Sequence, residues 1–219
     1  TAEELAGYLR GSSVAVAYLM LEVFGDDIDP AARPHAAALA EAFQLTNFLR
    51  DVREDVQQYD RVYLPREVLR RHGASVADVE ALQPTDAVRA AIRDELEHTE
   101  ALYREGVAGI RYLPEDVQFG VLLAAVLYAE HHRLIREQGC DTLSNRPELS
   151  TRRRLALAAR TWYRWRRSGD PQAVFEAVSA VPAPDEPAAE SFRVPAARSL
   201  APARRAAGRV RAYLGVGSK

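Results

Sequence analysis

The 219 residues carry 29 Lys+Arg against 31 Asp+Glu, a net charge of -2, which excludes a chain that binds nucleic acid through overall positive charge. Apolar residues at 47% and charged residues at 27% are globular usage, and the length is enough to bury a core. The single cysteine, Cys140, excludes a disulfide framework and a thiolate zinc site and suits a reducing cytosol. The apolar residues recur at helical spacing, starting with a helix over roughly Glu3 to Phe24 that Gly25-Asp26-Asp27 breaks. Asp29-Pro30 then starts a second, Ala-rich helix from about Ala31 to Gln58. A connector, Tyr59 to Pro65, leads to a small helix ending near His72-Gly73. Pro84-Thr85-Asp86 caps a long helix through Tyr112, stopped by Pro114. Glu115 to Gln138 follows, stopped by Gly139, and Ser150 caps a last helix to about Arg167.

No run of period two stands out, so the fold class is all-α. Val117 to Ala129 lacks charge but falls short of the ~20 residues a bilayer span needs. After about Val181, Pro182, Pro184, Pro187, Pro195 and Pro202 interrupt an alanine-rich run. Residues 176–219 are read as an Ala/Pro/Arg-rich, flexible tail with room for one short basic helix, following a helical region over 1–175. Beyond Glu190 this tail has no acid, which offers attraction to an anionic membrane surface, although a solvated tail is the plainer reading.

The chemistry concentrates between Gln44 and Pro65. At about 100° per residue, Leu45, Leu49, Val52 and Val56 form a core stripe, while Arg50, Arg53, Glu54 and Gln57 lie mostly on the wet side. Gln44, Asn47, Asp51 and Asp55 form a third ridge along successive turns. Two carboxylates one turn apart repel unless a cation lies between them, and a hard divalent ion takes oxygen ligands of this kind. Asn47, Asp51 and Asp55 are therefore a partial magnesium shell, against the plainer reading of D-x-x-x-D as a solvated face. Arg61 can meet an anion, and Tyr63 can point a ring and a hydroxyl at the same place.

The stretch Gln44, Asn47, Arg50, Asp51, Asp55, followed by Arg61 to Pro65, resembles the second aspartate-rich motif of the squalene/phytoene synthase family. That motif reads Gln-x-x-Asn-x-x-Arg-Asp-x-x-x-Asp, then Arg-Val-Tyr-Leu-Pro. Gly7 to Ser12 is similar to the family's preceding helix, Tyr128 falls at an aromatic pocket position, and Gly139 to Arg146 resembles a late Gly-Tyr-Asp-x-Leu-x-x-Arg segment. Ala17, Arg53 and Cys140 depart from common glycine, glycine and tyrosine, and none of these removes a ligand.

The resemblance implies an all-α isoprenoid synthase bundle that joins two prenyl diphosphates head to head through a cyclopropyl diphosphate. It implies a phytoene-forming transferase acting on two geranylgeranyl diphosphates. Squalene or hydroxysqualene formation from farnesyl diphosphate is the alternative, and a non-catalytic assembly partner the alternative of another class. It implies Asp51, Asp55, Tyr63 and Tyr128 as catalytic residues and Asn47, Asp51 and Asp55 as ligands of Mg2+, or of Mn2+. Gln44, Asn47, Arg50, Arg61 and Arg146 would place the substrate. NADPH is not expected for phytoene formation. The family's first aspartate-rich motif has no counterpart here, since Asp26, Asp27 and Asp29 sit at a helix break. The chain is accordingly expected to be an N-terminally incomplete synthase, inactive in isolation. The expected partners are prenyl diphosphates and, peripherally, a membrane; no nucleic acid and no stable protein partner is indicated. The expected location is cytoplasmic, peripheral on the inner face of the membrane.

Elsewhere the signals are weaker. His131 and His132 diverge on a helix and read as exposed or partly packed, and His35, His72 and His98 lack ligand partners at diagnostic spacing. Between Arg152 and Arg167, Leu155, Ala158, Trp162 and Trp165 make one apolar face, expected to pack while the arginines reach solvent. A basic helix of this kind also suits a membrane surface that receives a water-insoluble product.

Overall fold

The computed structural model describes residues 1–25 and 27–183. Among them are ten α-helices and no strand: α1 (Ala2–Leu9), α2 (Ala15–Phe24), α3 (Ala32–Arg50), α4 (Val52–Tyr59), α5 (Arg66–Arg71), α6 (Val76–Glu80), α7 (Asp86–Ala108), α8 (Glu115–Glu137), α9 (Thr151–Ser168) and α10 (Pro171–Val178). Local capping explains most of the starts. Thr1 and Glu4 form a capping box on α1, Ser75 and Asp78 another on α6, and the hydroxyls of Thr85 and Ser150 accept from Val88 and Arg153. Asp170 caps α10 with Pro171 at its first position. Helices α6 and α10 are additional to those expected from the sequence, although both caps are written in the chain.

Three predicted helices prove to be interrupted. A π-helical turn, Arg10–Val14, joins α1 to α2. The second helix breaks at Asp51, whose backbone lies at φ -104 and ψ 16, so α3 and α4 are separate segments. The long helix stops at Ala108, followed by a 3-10 turn over Ile110–Tyr112, because Nδ1 of His35 takes the Glu105 carbonyl at 2.6 Å. The Gly109 amide then turns to Gly106 O at 3.1 Å.

Helix α3 lies along α7, and α8, α9 and α10 complete the main core around Leu39, Ala42, Tyr103, Leu122, Val126 and Phe175. The closeness of α3 and α7 depends on Gly106, where an added Cβ would sit 2.6 Å from Leu39 Cβ and 2.7 Å from its Cα. A second core gathers Leu49, Val52, Leu69, Ile92, Leu96, Ile135 and Leu143 around α4 to α7. Leu9, Leu45 and Phe48 form a third, smaller one.

The packed body continues past residue 175, because Val178 and Val181 are buried against the main core. The rest of the expected tail, from 184 onward, lies outside the described residues, as does Asp26. The inward face of α9 is Leu157, Thr161 and part of Trp165, whereas Leu155 and Trp162 are exposed, contrary to the face expected from the sequence. Thr161 can turn inward because its hydroxyl is satisfied by the Leu157 carbonyl at 2.7 Å. No helix among the described residues is long and apolar enough to cross a membrane.

Candidate functional site

Helix α3 carries Gln44 and Asn47 on a face that lines an apolar cavity of about 360 Å³. Its walls come from α2 (Ala17, Met20, Phe24), α3 (Leu39, Phe43), the end of α7 and α8 (Val121, Tyr128). The Tyr128 ring packs on Phe43, with centroids 4.7 Å apart. A mainly apolar wall with a few polar side chains, Ser12, Ser13, Gln44, Asn47 and Tyr128, is what a ligand with a long apolar tail and a polar head requires. Ala17 is one of the lining residues, so the departure from glycine noted in the sequence does narrow this space.

The next ridge residue, Asp51, stands at the kink between α3 and α4. The Asp51 carboxylate accepts from Arg50 Nε at 2.8 Å, Arg50 Nη2 at 2.6 Å and Arg146 Nε at 2.7 Å. Burial pushes the Asp51 carboxyl up, but the two guanidiniums outweigh it and hold the carboxyl below its ordinary value. Arg50 is thus a partly buried partner of Asp51, not the solvated residue the helical wheel suggested. Arg53 likewise turns inward to the Leu143 carbonyl at 2.8 Å, and Arg146 also reaches Glu54 at 3.5 Å. Asp55 is different. Its carboxyl is pushed up to about 6, first by burial and then by Asp51 and Glu54, with Arg61 and Arg146 opposing.

Asp55, Arg61 and Tyr63 line a small crevice of about 10 Å³, the room of a single water, together with Leu45, Phe48 and Glu95. Tyr63 stacks on Phe48 with centroids 3.7 Å apart, and Arg61 Nη1 donates to its hydroxyl at 3.2 Å. Tyr8 completes the group, its ring 5.7 Å from that of Tyr63 and its phenol raised by the neighbouring Tyr63 hydroxyl. Tyr8 is a site neighbour not among the expected site residues, although it stands in the Gly7 to Ser12 stretch. The nine candidate residues therefore form three neighbouring groups: Gln44, Asn47 and Tyr128 on the cavity; Arg50, Asp51 and Arg146 in the ion cluster; Asp55, Arg61 and Tyr63 at the crevice.

A hard divalent cation suits these donors. They are oxygens, and Asp55 carries charge that its surroundings leave poorly compensated. Among the described residues no set of three or more His, Cys, Asp or Glu side chains is arranged to hold a metal. Two carboxylates and one amide are donors of the kind magnesium accepts when substrate phosphate and water complete its shell, although here Asn47, Asp51 and Asp55 stand in three neighbouring groups and Asp51 is held by Arg50 and Arg146.

Behind α3 lies a buried polar chain absent from the sequence expectations. The Thr46 hydroxyl donates to the Ala42 carbonyl at 2.7 Å and meets Tyr103 Oη at 2.9 Å and His132 Nε2 at 3.0 Å. His132 Nδ1 in turn meets Glu100 at 3.1 Å, and Arg136 closes the chain on Glu100 at 2.6 Å. His132 is completely buried, not exposed or partly packed as expected, and burial pulls its pKa down.

An all-α bundle enclosing an apolar cavity with a carboxylate-arginine cluster beside it has the isoprenoid synthase fold. The crystal structure of squalene synthase HpnC from Alicyclobacillus acidocaldarius superposes with a TM-score of 0.60 at 31% identity, covering 64% of this chain and 52% of that one. The Squalene/phytoene synthase family profile matches residues 1–153, and the chain belongs to that family. Phytoene synthase of Thermus thermophilus is 38% identical over 157 residues, 72% of this chain and 53% of that protein. The 15-cis-phytoene synthase of Synechococcus elongatus is 34% identical over 131 residues, 58% of this chain and 42% of that protein. The chain spans about half the length of these relatives.

Proposed function

We propose that the protein carrying this chain is a prenyltransferase that condenses two geranylgeranyl diphosphates head to head to phytoene through a cyclopropyl diphosphate. The observation that carries this reading is the 360 Å³ apolar cavity reached by Gln44 and Asn47, next to the cluster of Asp51, Arg50 and Arg146. The cavity takes the hydrocarbon and excludes water from an allylic cation. Arg50, Arg61 and Arg146 bind the diphosphate oxygens, and Gln44 orients the head group. Tyr128 on the cavity wall and Tyr63 at the crevice face the reacting carbons with aromatic rings. Asn47, Asp51 and Asp55 would hold Mg2+, or Mn2+ in its place, which supplies positive charge against the leaving diphosphate. Helix α3 holds Gln44 and Asn47 in place through the buried Thr46 chain.

The relatives named phytoene synthase favour the longer substrate. The likeness to squalene synthase HpnC keeps condensation of farnesyl diphosphate as the second reading. We assign turnover to the whole protein that carries these residues. We further place the protein in the cytoplasm, in peripheral contact with the inner face of a membrane that receives the hydrocarbon.

The test is product analysis of the full-length protein with geranylgeranyl and farnesyl diphosphate in the presence of magnesium. Phytoene from the first supports the proposal. Squalene or hydroxysqualene from the second transfers it to the alternative. Absence of any hydrocarbon from either substrate favours a non-catalytic partner protein.

A further inference from the structure

Helix α9 shows the bundle one face and solvent a very different one. Leu157 and Thr161 turn inward, whereas Leu155, Trp162 and Tyr163 are 66%, 55% and 54% exposed. At about 100° per residue, Trp162, Leu155, Arg166 and Ala159 fall within one outer sector, with Arg152 and Tyr163 along its border. The helix has no acidic residue. Among the described residues Arg153 is the one arginine of α9 that pairs with a carboxylate, Glu130 at 2.9 Å. Arg160 and Arg167 donate to the Ala177 carbonyl and the Tyr163 hydroxyl, contacts that leave their charge uncompensated.

This face combines exposed aliphatic and indole surface with Arg166 and, at its border, Arg152, neither of which pairs with a carboxylate among the described residues. A basic protein partner is disfavoured by repulsion. Single-stranded RNA is drawn by the charge, but its bases stack within grooves, and the outer side of a helix is convex. An anionic bilayer satisfies every component. Leu155 enters the acyl boundary, Trp162 and Tyr163 lie at headgroup depth with their polar atoms outward, and the arginines meet phosphate.

The geometry points to the outer face of α9 as the attachment surface for an anionic phospholipid bilayer. It rests on the peripheral location proposed above and not on the catalytic reading, because lipid binding and turnover are separate measurements.

The full-length protein is sedimented with vesicles of phosphatidylcholine alone and with about one-third phosphatidylglycerol, at low and high salt. Binding is expected on the anionic vesicles only, weakening as salt rises. Leu155→Ser with Trp162→Ser, and separately Arg152→Gln with Arg166→Gln, are each expected to lower the partition coefficient about tenfold or more, with turnover of detergent-dispersed substrate unchanged. The emission attributable to Trp162, taken as the difference from Trp162→Phe, is expected to shift to the blue on binding. Partitioning within about twofold of wild type for both variants overturns the assignment. So does a Trp162 shielded from acrylamide before vesicles are added, which shows protein covering the face, or single-stranded RNA that displaces the vesicles. Vesicle binding that depends on α9 in a protein without turnover supports the surface and sinks only the catalytic reading.

Discussion

The Arg146 guanidinium donates through Nε to the Asp51 carboxylate at 2.7 Å, although 95 residues separate the two. Arg50 occupies the same carboxylate from the neighbouring position, at 2.8 and 2.6 Å. The loop after α8 thereby brings a cation to the break between α3 and α4, and a motif carboxylate stays ionised although half-buried.

Arg146 is nearly half exposed, so its pair with Asp51 contributes little to stability. Arg146→Gln is expected to change unfolding free energy by less than about 1 kcal/mol while raising KM for the prenyl diphosphate about tenfold. Thermal unfolding and steady-state kinetics on the full-length protein check both. A large stability loss at unchanged KM would show Arg146 to be structural.

Asp51→Ala and Asp55→Asn are each expected to lower kcat at least about 100-fold, since both remove charge that would organise the cation and the leaving group. Turnover near wild type at saturating magnesium would remove both residues from the proposed machinery.

The buried Glu100 carboxylate faces His132 at 3.1 Å and Arg136 at 2.6 Å. Glu100→Ala leaves the guanidinium of Arg136 short of its partner and is expected to cost about 3 kcal/mol. Denaturant unfolding reads this directly, and a loss below about 1 kcal/mol would show that the buried chain does not hold the helices it joins.

Burial pushes the Glu95 carboxyl from its usual value near 4.5 up to about 7, with Asp94 adding to the rise and Arg71 opposing it. Between those values the folded protein keeps a proton that the unfolded chain has lost, so stability falls as pH rises through the window. The full effect is on the order of 3 kcal/mol, and Glu95→Gln is expected to flatten that slope and raise stability at about pH 8. Denaturant midpoints at about pH 5 and about pH 8 test it; an unchanged slope in Glu95→Gln would assign the pH dependence to other groups.

Gly106→Ala places a methyl 2.7 Å from the backbone nitrogen and Cα of Leu39, atoms that cannot move without shifting α3. A loss of about 1–3 kcal/mol is expected, with altered product length because Gly106 and Leu39 both line the cavity. Unfolding and product chromatography measure the two effects.

The all-α class, the Thr85 and Ser150 caps and the stop at Gly139 were all legible, because each depends on residues within a turn or two of one another. Helices α6 and α10 were legible too, in Ser75 with Asp78 and in Asp170 with Pro171, but are short enough to pass for loop. The break at Asp51 was not. A wheel assumes a continuous helix, and the backbone of Asp51 leaves it at φ -104 and ψ 16.

What the chain by itself determined was the set of candidate residues: oxygen donors, arginines and aromatics at motif spacing, on helices whose periods and caps are local properties. The tertiary structure alone decided their partners. That Arg146 meets Asp51, that His132 is sealed against Glu100, and that Leu157 and not Leu155 faces the core all follow from how helices distant in sequence pack. Periodicity ranks the faces of a helix, but which one is buried depends on the shape and hydrogen-bonding capacity of the neighbours it meets.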